Sequence, residues 1–332
     1  MTCYPPERGK NPSFFSGCDV APPGEWQVHP DIAVLTKRQE DCVESSRATF
    51  AVRSTRTIDR GLAVASIVPI GTDTSVIATT EGHLYVLATD SLIKWVSDPV
   101  AIVRPSQSAM AVAITRQGEI VELGPSADNV IGRSRNGRRL PAAVAVEGVA
   151  VTTDAVWITA TDGDRRVLYR ERKDANGTSH FDAVRWFDAP VWIGSVSDAA
   201  VAVGNIEPPF ATWLVASDGS TVGWFGVPDA RQANPLREGR WVSLGVWPLD
   251  CGTVVQVLAD LTSRLRRMAF HRLEPDGSIT TRLGTVIDQP FGVVASYPED
   301  RTFIALTDRG ESWELQSIDW TWSASNEQRR KQ

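Results

Sequence analysis

Six acidic residues carry the clearest potential for chemistry in this sequence. Each lies at a predicted turn between two strands or at the start of a repeated unit, where carboxylates could converge on one ion. A hard cation such as Ca²⁺ or Mg²⁺ takes about six or more oxygen ligands, which carboxylates supply. Aspartate is also common at turns because its carboxylate bonds its own backbone, so a structural role is the alternative. The six residues are Asp73, Asp154, Asp198, Glu207, Asp250 and Asp288.

The histidines, cysteines and serines do not form a recognisable catalytic or zinc-binding pattern. His29, His83, His180 and His271 are far apart and show neither HxH nor HExxH spacing. The cysteines lack a CxxC pair, and the sequence has no Gly-x-Ser-x-Gly nucleophile elbow. These observations favour a protein that is not an enzyme and binds no cofactor, with Ca²⁺ or another divalent ion at the acidic residues as the alternative.

The elements that would position these residues are short β-hairpins that recur along the chain. Each combines a β-branched strand, a polar turn that contains glycine, and a second strand, as in Val76–Thr80 followed by Leu84–Leu87. The mean separation of the turn glycines is (310 − 82)/5, about 46 residues, which is near the ~40–50 residues of a propeller blade. The sequence therefore predicts an all-β fold, a β-propeller. The turn glycines are Gly82, Gly118, Gly163, Gly219, Gly277 and Gly310.

The hairpins divide the chain into six predicted blades with irregular segments on either side. The last blade lacks a fourth strand, and we expect Ala48–Arg53 to supply it, because closing the ring removes an exposed sheet edge. Seven blades are the alternative if residues 27–60 form a blade of their own. We expect an irregular extension at 1–45, one propeller domain at 46–322 and a polar tail at 323–332. The predicted blades cover about 62–97, 99–134, 143–187, 190–236, 241–284 and 286–318.

The repeats resemble the β-propeller superfamily in general, and no subfamily signature is complete. The Gly-His and Trp-Asp signature of WD40 repeats is not complete in any blade. Gly148–Thr159 resembles a phrase shared by lyase-type and NHL-type propellers. Asp308-Arg-Gly-Glu-Ser-Trp313 is similar to an Asp-box. That resemblance implies a structural turn, in which Asp308 and Gly310 shape a hairpin and Trp313 packs beneath it.

The composition and the net charge limit the classes of partner that the protein is expected to bind. The chain has 332 residues and a formal net charge of −6, which argues against a general nucleic-acid binder, because phosphate contacts need a concentrated basic face. No apolar stretch reaches the length of a membrane span, so we expect a cytoplasmic protein. A disulfide between Cys18 and Cys42 would form only in an exported protein. One basic cluster stands out as an interaction candidate, with Arg133, Arg135, Arg138 and Arg139.

Two tryptophans after the last predicted blade form a second interaction candidate. In Asp319-Trp-Thr-Trp322 the rings of Trp320 and Trp322 point to the same side of an extended segment. They could fasten the closure of the ring, or they could anchor a partner, because tryptophan and arginine are enriched at binding hot spots. The sequence therefore predicts a scaffold that binds another protein, as a subunit or regulator of a larger assembly. The alternative is a metal-dependent hydrolase or lyase of a small sugar-like or lactone-like substrate.

Overall fold

The computed structural model describes most of the chain from Arg47 to Ser323 and two short segments before it. Among these residues, no helix has the length and apolarity to cross a membrane. The described residues are 2–3, 18–19, 47–59, 64–70, 75–86, 91–93, 98–103, 111–116, 118–125, 130–134, 140, 144–176, 179–197, 199–208, 210–225, 240–250, 252–263, 265–273, 279–288, 291–297 and 300–323.

Six four-stranded antiparallel sheets form the six blades of a β-propeller, as the hairpin repeat predicts. A separate pair joins β1 (Thr2–Cys3) to β2 (Cys18–Asp19). The strands of blades 1 to 3 are β4 (Val64–Pro69), β5 (Ser75–Thr79), β6 (Leu84–Val86), β7 (Ser91–Ile93); β8 (Pro99–Val103), β9 (Ala111–Thr115), β10 (Ile120–Pro125), β11 (Val130–Ser134); and β12 (Ala145–Val151), β13 (Val156–Asp162), β14 (Arg165–Lys173), β15 (Ser179–Phe187).

Blades 4 to 6 continue the same order, except that the last strand of blade 6 comes from the N-terminal side of the chain. The strands are β16 (Val191–Ser195), β17 (Ala200–Asn205), β18 (Thr212–Ala216), β19 (Thr221–Phe225); β20 (Trp241–Pro248), β21 (Thr253–Asp260), β22 (Leu265–Leu273), β23 (Ile279–Asp288); and β24 (Phe291–Tyr297), β25 (Thr302–Asp308), β26 (Ser312–Ser323), β3 (Arg47–Asp59).

The first strand of every blade lies at the centre of the ring. Strand β4 contacts β8, and the contacts continue through β12, β16, β20 and β24, which returns to β4. Because neighbouring strands are antiparallel, the first and third strands of each blade begin at one face of the ring, named the entry face. The turns from first to second strand emerge at the opposite face, and the turns from second to third strand return to the entry face.

Ring closure by an N-terminal strand is confirmed, and the strand is longer than predicted. Strand β3 spans Arg47–Asp59 and pairs along its length with β26, from Ser312 opposite Asp59 to Ser323 opposite Arg47. The hydroxyls of Thr49 and Thr321 also bond each other at 2.7 Å. The seven-blade alternative is wrong, because residues 47–59 complete the sixth sheet instead of starting another.

The second strand of each blade forms the densest part of the core. All side chains of β5, β9 and β21 are buried, since a neighbouring blade covers each face. In β13, Ile158 packs in the cluster shared with blade 2, whereas Trp157 packs in the cluster shared with blade 4. Alternate side chains of one strand therefore join the three blades together.

The glycine turns that revealed the repeat have the backbone that glycine permits. At the β5–β6 turn, Gly82 has φ +82° and its N–H donates to the carbonyl of Thr79 at 3.1 Å. A side chain at that φ would be strained. Gly277 lies outside the described residues. The other turn glycines also have positive φ: Gly118, Gly163, Gly219 and Gly310.

Candidate interaction surface

Trp186 is the most conspicuous exposed side chain in the part of the chain that the structure describes. Its relative exposure is 55%, although it lies within β15, the outer strand of blade 3. Exposed large apolar residues elsewhere in that part are aliphatic: Val52, Leu244 and Leu261. A half-exposed aromatic side chain on a regular strand is a candidate contact for a partner protein.

The register of β15 explains which way the Trp186 ring faces. Trp186 lies opposite Val167 on β14, and Val167 belongs to the core cluster shared with blade 2. Phe181 packs against the same cluster, and Ala183 lies opposite Tyr169, another member. The blade-2 side of β15 therefore carries an apolar row of Phe181, Ala183 and Trp186, which we name the Trp186 stripe.

Arg185 faces the other way and fixes β15 to blade 4. Its Nη1 donates to the Thr221 hydroxyl at 2.6 Å, and its Cζ lies 5.0 Å from the centroid of the Trp213 ring and 5.6 Å from that of Phe187. Burial lowers the pKa of Arg185. The hydrogen bond and the cation–π contacts of Arg185 restrain the strand next to Trp186. The exposed ring therefore projects from a rigid backbone.

Charged side chains lie at the other end of β15, on the side that faces blade 4 and not on that of the Trp186 stripe. Arg172 and Asp182 form an ion pair with an Nε to Oδ2 distance of 3.2 Å, and His180 lies 3.5 Å from the same carboxylate. Sequence reasoning missed Trp186, although its position in Arg185-Trp-Phe187 on an alternating outer strand was a usable signal.

The structure gives Trp320 a role in the fold instead of a partner contact. The side chain is fully buried, and its ring lies 6.0 Å from that of Phe303. Its Nε1 donates to Asp250 Oδ1 at 2.8 Å, and Arg301 Nε donates to the other oxygen at 2.6 Å. The partner-anchor interpretation does not fit Trp320, because no part of the ring reaches solvent. Trp322 lies on β26 opposite Ala48, and its side chain is outside the described set.

The other predicted interaction residues are resolved only in part. Arg133 lies on β11, where its backbone pairs with that of Glu122. Arg135, Arg138 and Arg139 lie outside the described residues, so the basic cluster stays a prediction from the sequence.

The Asp-box-like segment occupies the β25–β26 turn. Asp308 lies opposite Trp313 in the register, and Gly310 between them has φ +88°. Trp313 packs against a cluster that contains Ile58 of β3 and Ile67 of blade 1. The ring therefore lies where blade 6 meets blade 1, and its support of the turn stays a prediction.

The predicted acidic residues are divided between the two faces of the ring. Asp154 and Asp250 lie at turns from first to second strand, whereas Glu207 lies at a turn from second to third strand, on the entry face. Asp288 ends β23 at the entry face as well. Asp73 and Asp198 lie outside the described residues.

Arginines neutralise the acidic side chains whose contacts are described. Arg170 Nη2 lies 2.7 Å from Asp154 Oδ2, and Arg240 Nη2 lies 3.8 Å from Glu207 Oε1. Within the described ranges, no group of three His, Cys, Asp or Glu side chains could hold a metal ion. The divalent-ion alternative stays a prediction, which metal analysis of the purified protein would test.

His271 belongs to a polar row that crosses all four strands of blade 5. Gln256 Nε2 donates to Ser243 Oγ at 2.8 Å, which leaves its Oε1 to accept from His271 Nε2 at 3.1 Å. His271 Nδ1 then accepts from the Thr281 hydroxyl at 2.9 Å. The imidazole is fully buried, and burial lowers its pKa to about 3. His271 is therefore neutral and structural.

The remaining histidines stay apart from one another. His83 lies exposed at the β5–β6 turn, and His180 lies beside Asp182 on β15. His29 is outside the described residues. The structure does not bring His83, His180 and His271 together into one site.

No protein-family model matches the chain, and no curated protein matches it in sequence. Solved structures similar to the fold include the WD40 domain of Toxoplasma gondii coronin, at 10% identity and a TM-score of 0.46, over 79% of this chain and 70% of that chain. The WD40 repeats of RRP9 match at 10% identity and a TM-score of 0.47, over 81% and 100%. The N-terminal domain of Nup159 matches at 12% identity and a TM-score of 0.43, over 86% and 97%. These likenesses concern architecture and carry no functional information.

Proposed function

We propose that this β-propeller is a non-enzymatic scaffold that binds another protein through the Trp186 stripe. The observation that carries the proposal is the 55% exposure of Trp186 on a strand that Arg185 fixes to the neighbouring blade. Tryptophan is enriched at interface hot spots because one rigid side chain supplies a large contact area and an indole N–H.

The expected energetic contribution of Trp186 is large for one residue. A buried tryptophan removes up to about 250 Å² from water, so covering its exposed half would contribute roughly 3 kcal/mol at about 25 cal/mol per Å². That corresponds to about a hundredfold in affinity. Because Arg185 already fixes the strand, little conformational entropy is lost when a partner covers the ring.

The proposal is tested by comparing Trp186→Ala with Val52→Ala. Both side chains are 55% exposed and lie on outer strands, so the variants differ chiefly in whether they alter the stripe. We expect Trp186→Ala to retain the melting temperature and to lose a protein that the wild type recovers from the native cell. That protein, identified and purified, should bind Trp186→Ala about a hundredfold more weakly in calorimetry. Val52→Ala should bind as the wild type does. Equal affinity of all three proteins would show that the stripe is not the binding surface.

A further inference from the structure

Three buried side chains between blades 4 and 5 have N–H donors without an acceptor in the described part of the chain. The relative exposures are 8% for Trp192, 4% for Trp241 and 9% for Arg267. Among the residues that the structure describes, neither indole N–H has an acceptor, and neither do Nε and Nη1 of Arg267. Buried donors are nearly always satisfied, so a group of three in one interface needs an explanation.

The packing places all three side chains in the same interface. Trp192 of blade 4 packs with Val246 and Val254 of blade 5. Trp241 of blade 5 packs with Phe210 of blade 4 and with Leu258. Arg267 lies opposite Leu258 in the register of β21 and β22, and therefore on the same face of blade 5.

The three side chains also lie at the same end of that interface. Trp192 is the second residue of β16, Trp241 is the first of β20, and Arg267 is the third of β22. First and third strands begin at the entry face, so these donors lie beside that face. We name this group the entry-face donors.

The charge of Arg267 makes the missing acceptor costly. A guanidinium cannot lose its proton in a protein, and burying an uncompensated charge costs several kcal/mol. The carboxylate of Asp260, on the adjacent strand, accepts instead from the Thr262 N–H and hydroxyl and from the Ser263 hydroxyl, at 2.6–2.9 Å. These bonds, that of Ser263 above all, lower the pKa of Asp260.

We propose that the entry-face donors bind an oxyanion, a carboxylate or a phosphate group, between blades 4 and 5. Indole and guanidinium groups offer donors and no acceptors, which suits a fully deprotonated oxygen ligand. The cation adds charge-assisted bonds, the strongest kind available to such a group. The site is separate from the Trp186 stripe, so it does not depend on the proposed scaffold function.

The test is thermal unfolding of the full chain in phosphate and in acetate, with sodium chloride holding the ionic strength constant. The wild type should show a saturable rise in Tm with at least one anion, because a ligand that binds the folded state stabilises it. A larger effect of phosphate would assign the site to phosphate groups, and a larger effect of acetate to carboxylates. No saturable rise with either anion would overturn the proposal.

Variants separate this site from general anion effects. Trp241→Phe and Trp192→Phe each remove one N–H and keep a ring, and each should weaken the fitted affinity about fivefold. Arg267→Met should weaken it about a hundredfold. Arg266→Met is the control and should retain the wild-type response, because Arg266 donates to the Leu265 carbonyl. If Arg267→Met does not fold, Trp241→Phe decides the question. A response unchanged in Trp241→Phe would contradict the site.

Discussion

The two sides of blade 4 contain the same kinds of side chain and differ in how far the hydrogen-bond donors of those side chains are satisfied. On the blade-3 side, Arg185 lies over Trp213 and donates to Thr221. The hydroxyl of Ser195 also bonds both the N–H and the carbonyl of Val151, at 3.0 and 2.8 Å. The protein itself supplies these acceptors, although Nε of Arg170, buried on the same side of blade 3, has no acceptor among the described residues.

On the blade-5 side, an arginine and two tryptophans are buried more deeply and their donors lack acceptors among the described residues. The backbone still joins the two blades there, because the Ser243 N–H donates to the Ile206 carbonyl at 2.7 Å. The comparison shows that interfaces between blades need not be equivalent within one ring. The blade-3 side supplies an acceptor for Arg185, whereas the blade-5 side leaves Nε and Nη1 of Arg267 without an acceptor among the described residues.

Lowering the pH should destabilise the interface between blades 4 and 5 before that between blades 3 and 4. This is the largest change in unfolding free energy that we expect. Burial lowers the pKa of His271 to about 3 from an unfolded value near 6.5, so the neutral form stabilises the fold fully above pH 6.5. That stability is lost as the pH falls towards 3. At pH 4 the loss is about 3 kcal/mol. Urea unfolding at pH 7 and pH 4 measures it.

The control for this prediction uses two histidine variants. His271→Gln should flatten the dependence of unfolding free energy on pH between 6.5 and 4, whereas His180→Gln should leave it as in the wild type. Hydrogen exchange should show β22 opening before β15 in acid, because Phe225 of blade 4 packs on the His271 ring at 4.2 Å. Simultaneous opening of both strands would contradict the difference between the interfaces.

A methyl group on Gly204 should disturb the blade-5 side next most strongly. A Cβ at this position would lie 2.3 Å from Cζ2 of Trp192 and 2.8 Å from the Thr212 hydroxyl. Gly204→Ala should therefore cost about 2–3 kcal/mol in unfolding free energy, measured with urea. Gly223→Ala in the same blade is the matched control, because its Cβ would meet Leu214 at an ordinary 3.5 Å. Similar losses in both variants would refute the tight fit of Trp192.

Removing the acceptor of Arg185 should have the smallest effect and make the two interfaces more alike. Thr221→Val deletes the hydroxyl that accepts from Nη1 and keeps the shape of the side chain. We expect a loss of about 1 kcal/mol, because the donor stays near solvent and can bond water. Urea unfolding checks this, with Ser220→Ala in the neighbouring turn as the control. A loss above about 3 kcal/mol would mean that Arg185 is as dependent on its partner as a fully buried charge.

The fold could be predicted from the sequence because its signals are local. Gly82 and the other turn glycines mark hairpins, and a missing fourth strand at the end of the chain pointed to Ala48–Arg53. The exposure of Trp186 depends instead on which neighbouring strand covers it. The strand opposite that side of blade 3 belongs to blade 2, whose outer strand β11 has five residues against nine in β15. The alternation within residues 179–187 indicates which side of the strand Trp186 faces, but not whether a neighbouring strand covers that side.

The entry-face donors could not be predicted from the sequence, for a related reason. Trp192, Trp241 and Arg267 come from three separate strands, and each is unremarkable in its own segment. Their common feature is the absence of an acceptor in a shared interface, which the described structure reveals. Trp320 shows the opposite case, since the sequence allowed two roles and burial against Phe303 with a bond to Asp250 selects one.

The closure of the ring determines when its two partner strands can pair during synthesis of the chain. Thr49 and Thr321, which bond across β3 and β26, are 272 residues apart in the chain. Strand β3 therefore leaves the ribosome before the other strands of the propeller and cannot form its pair until β26 follows. During that interval blade 6 does not exist, and Ile58 can pack against Ile67 and Ile77 of blade 1 but not against the strands of its own blade. The nascent protein must keep this early strand from pairing elsewhere, so its arginines and its exposed, polar residues serve the chain before the propeller is complete.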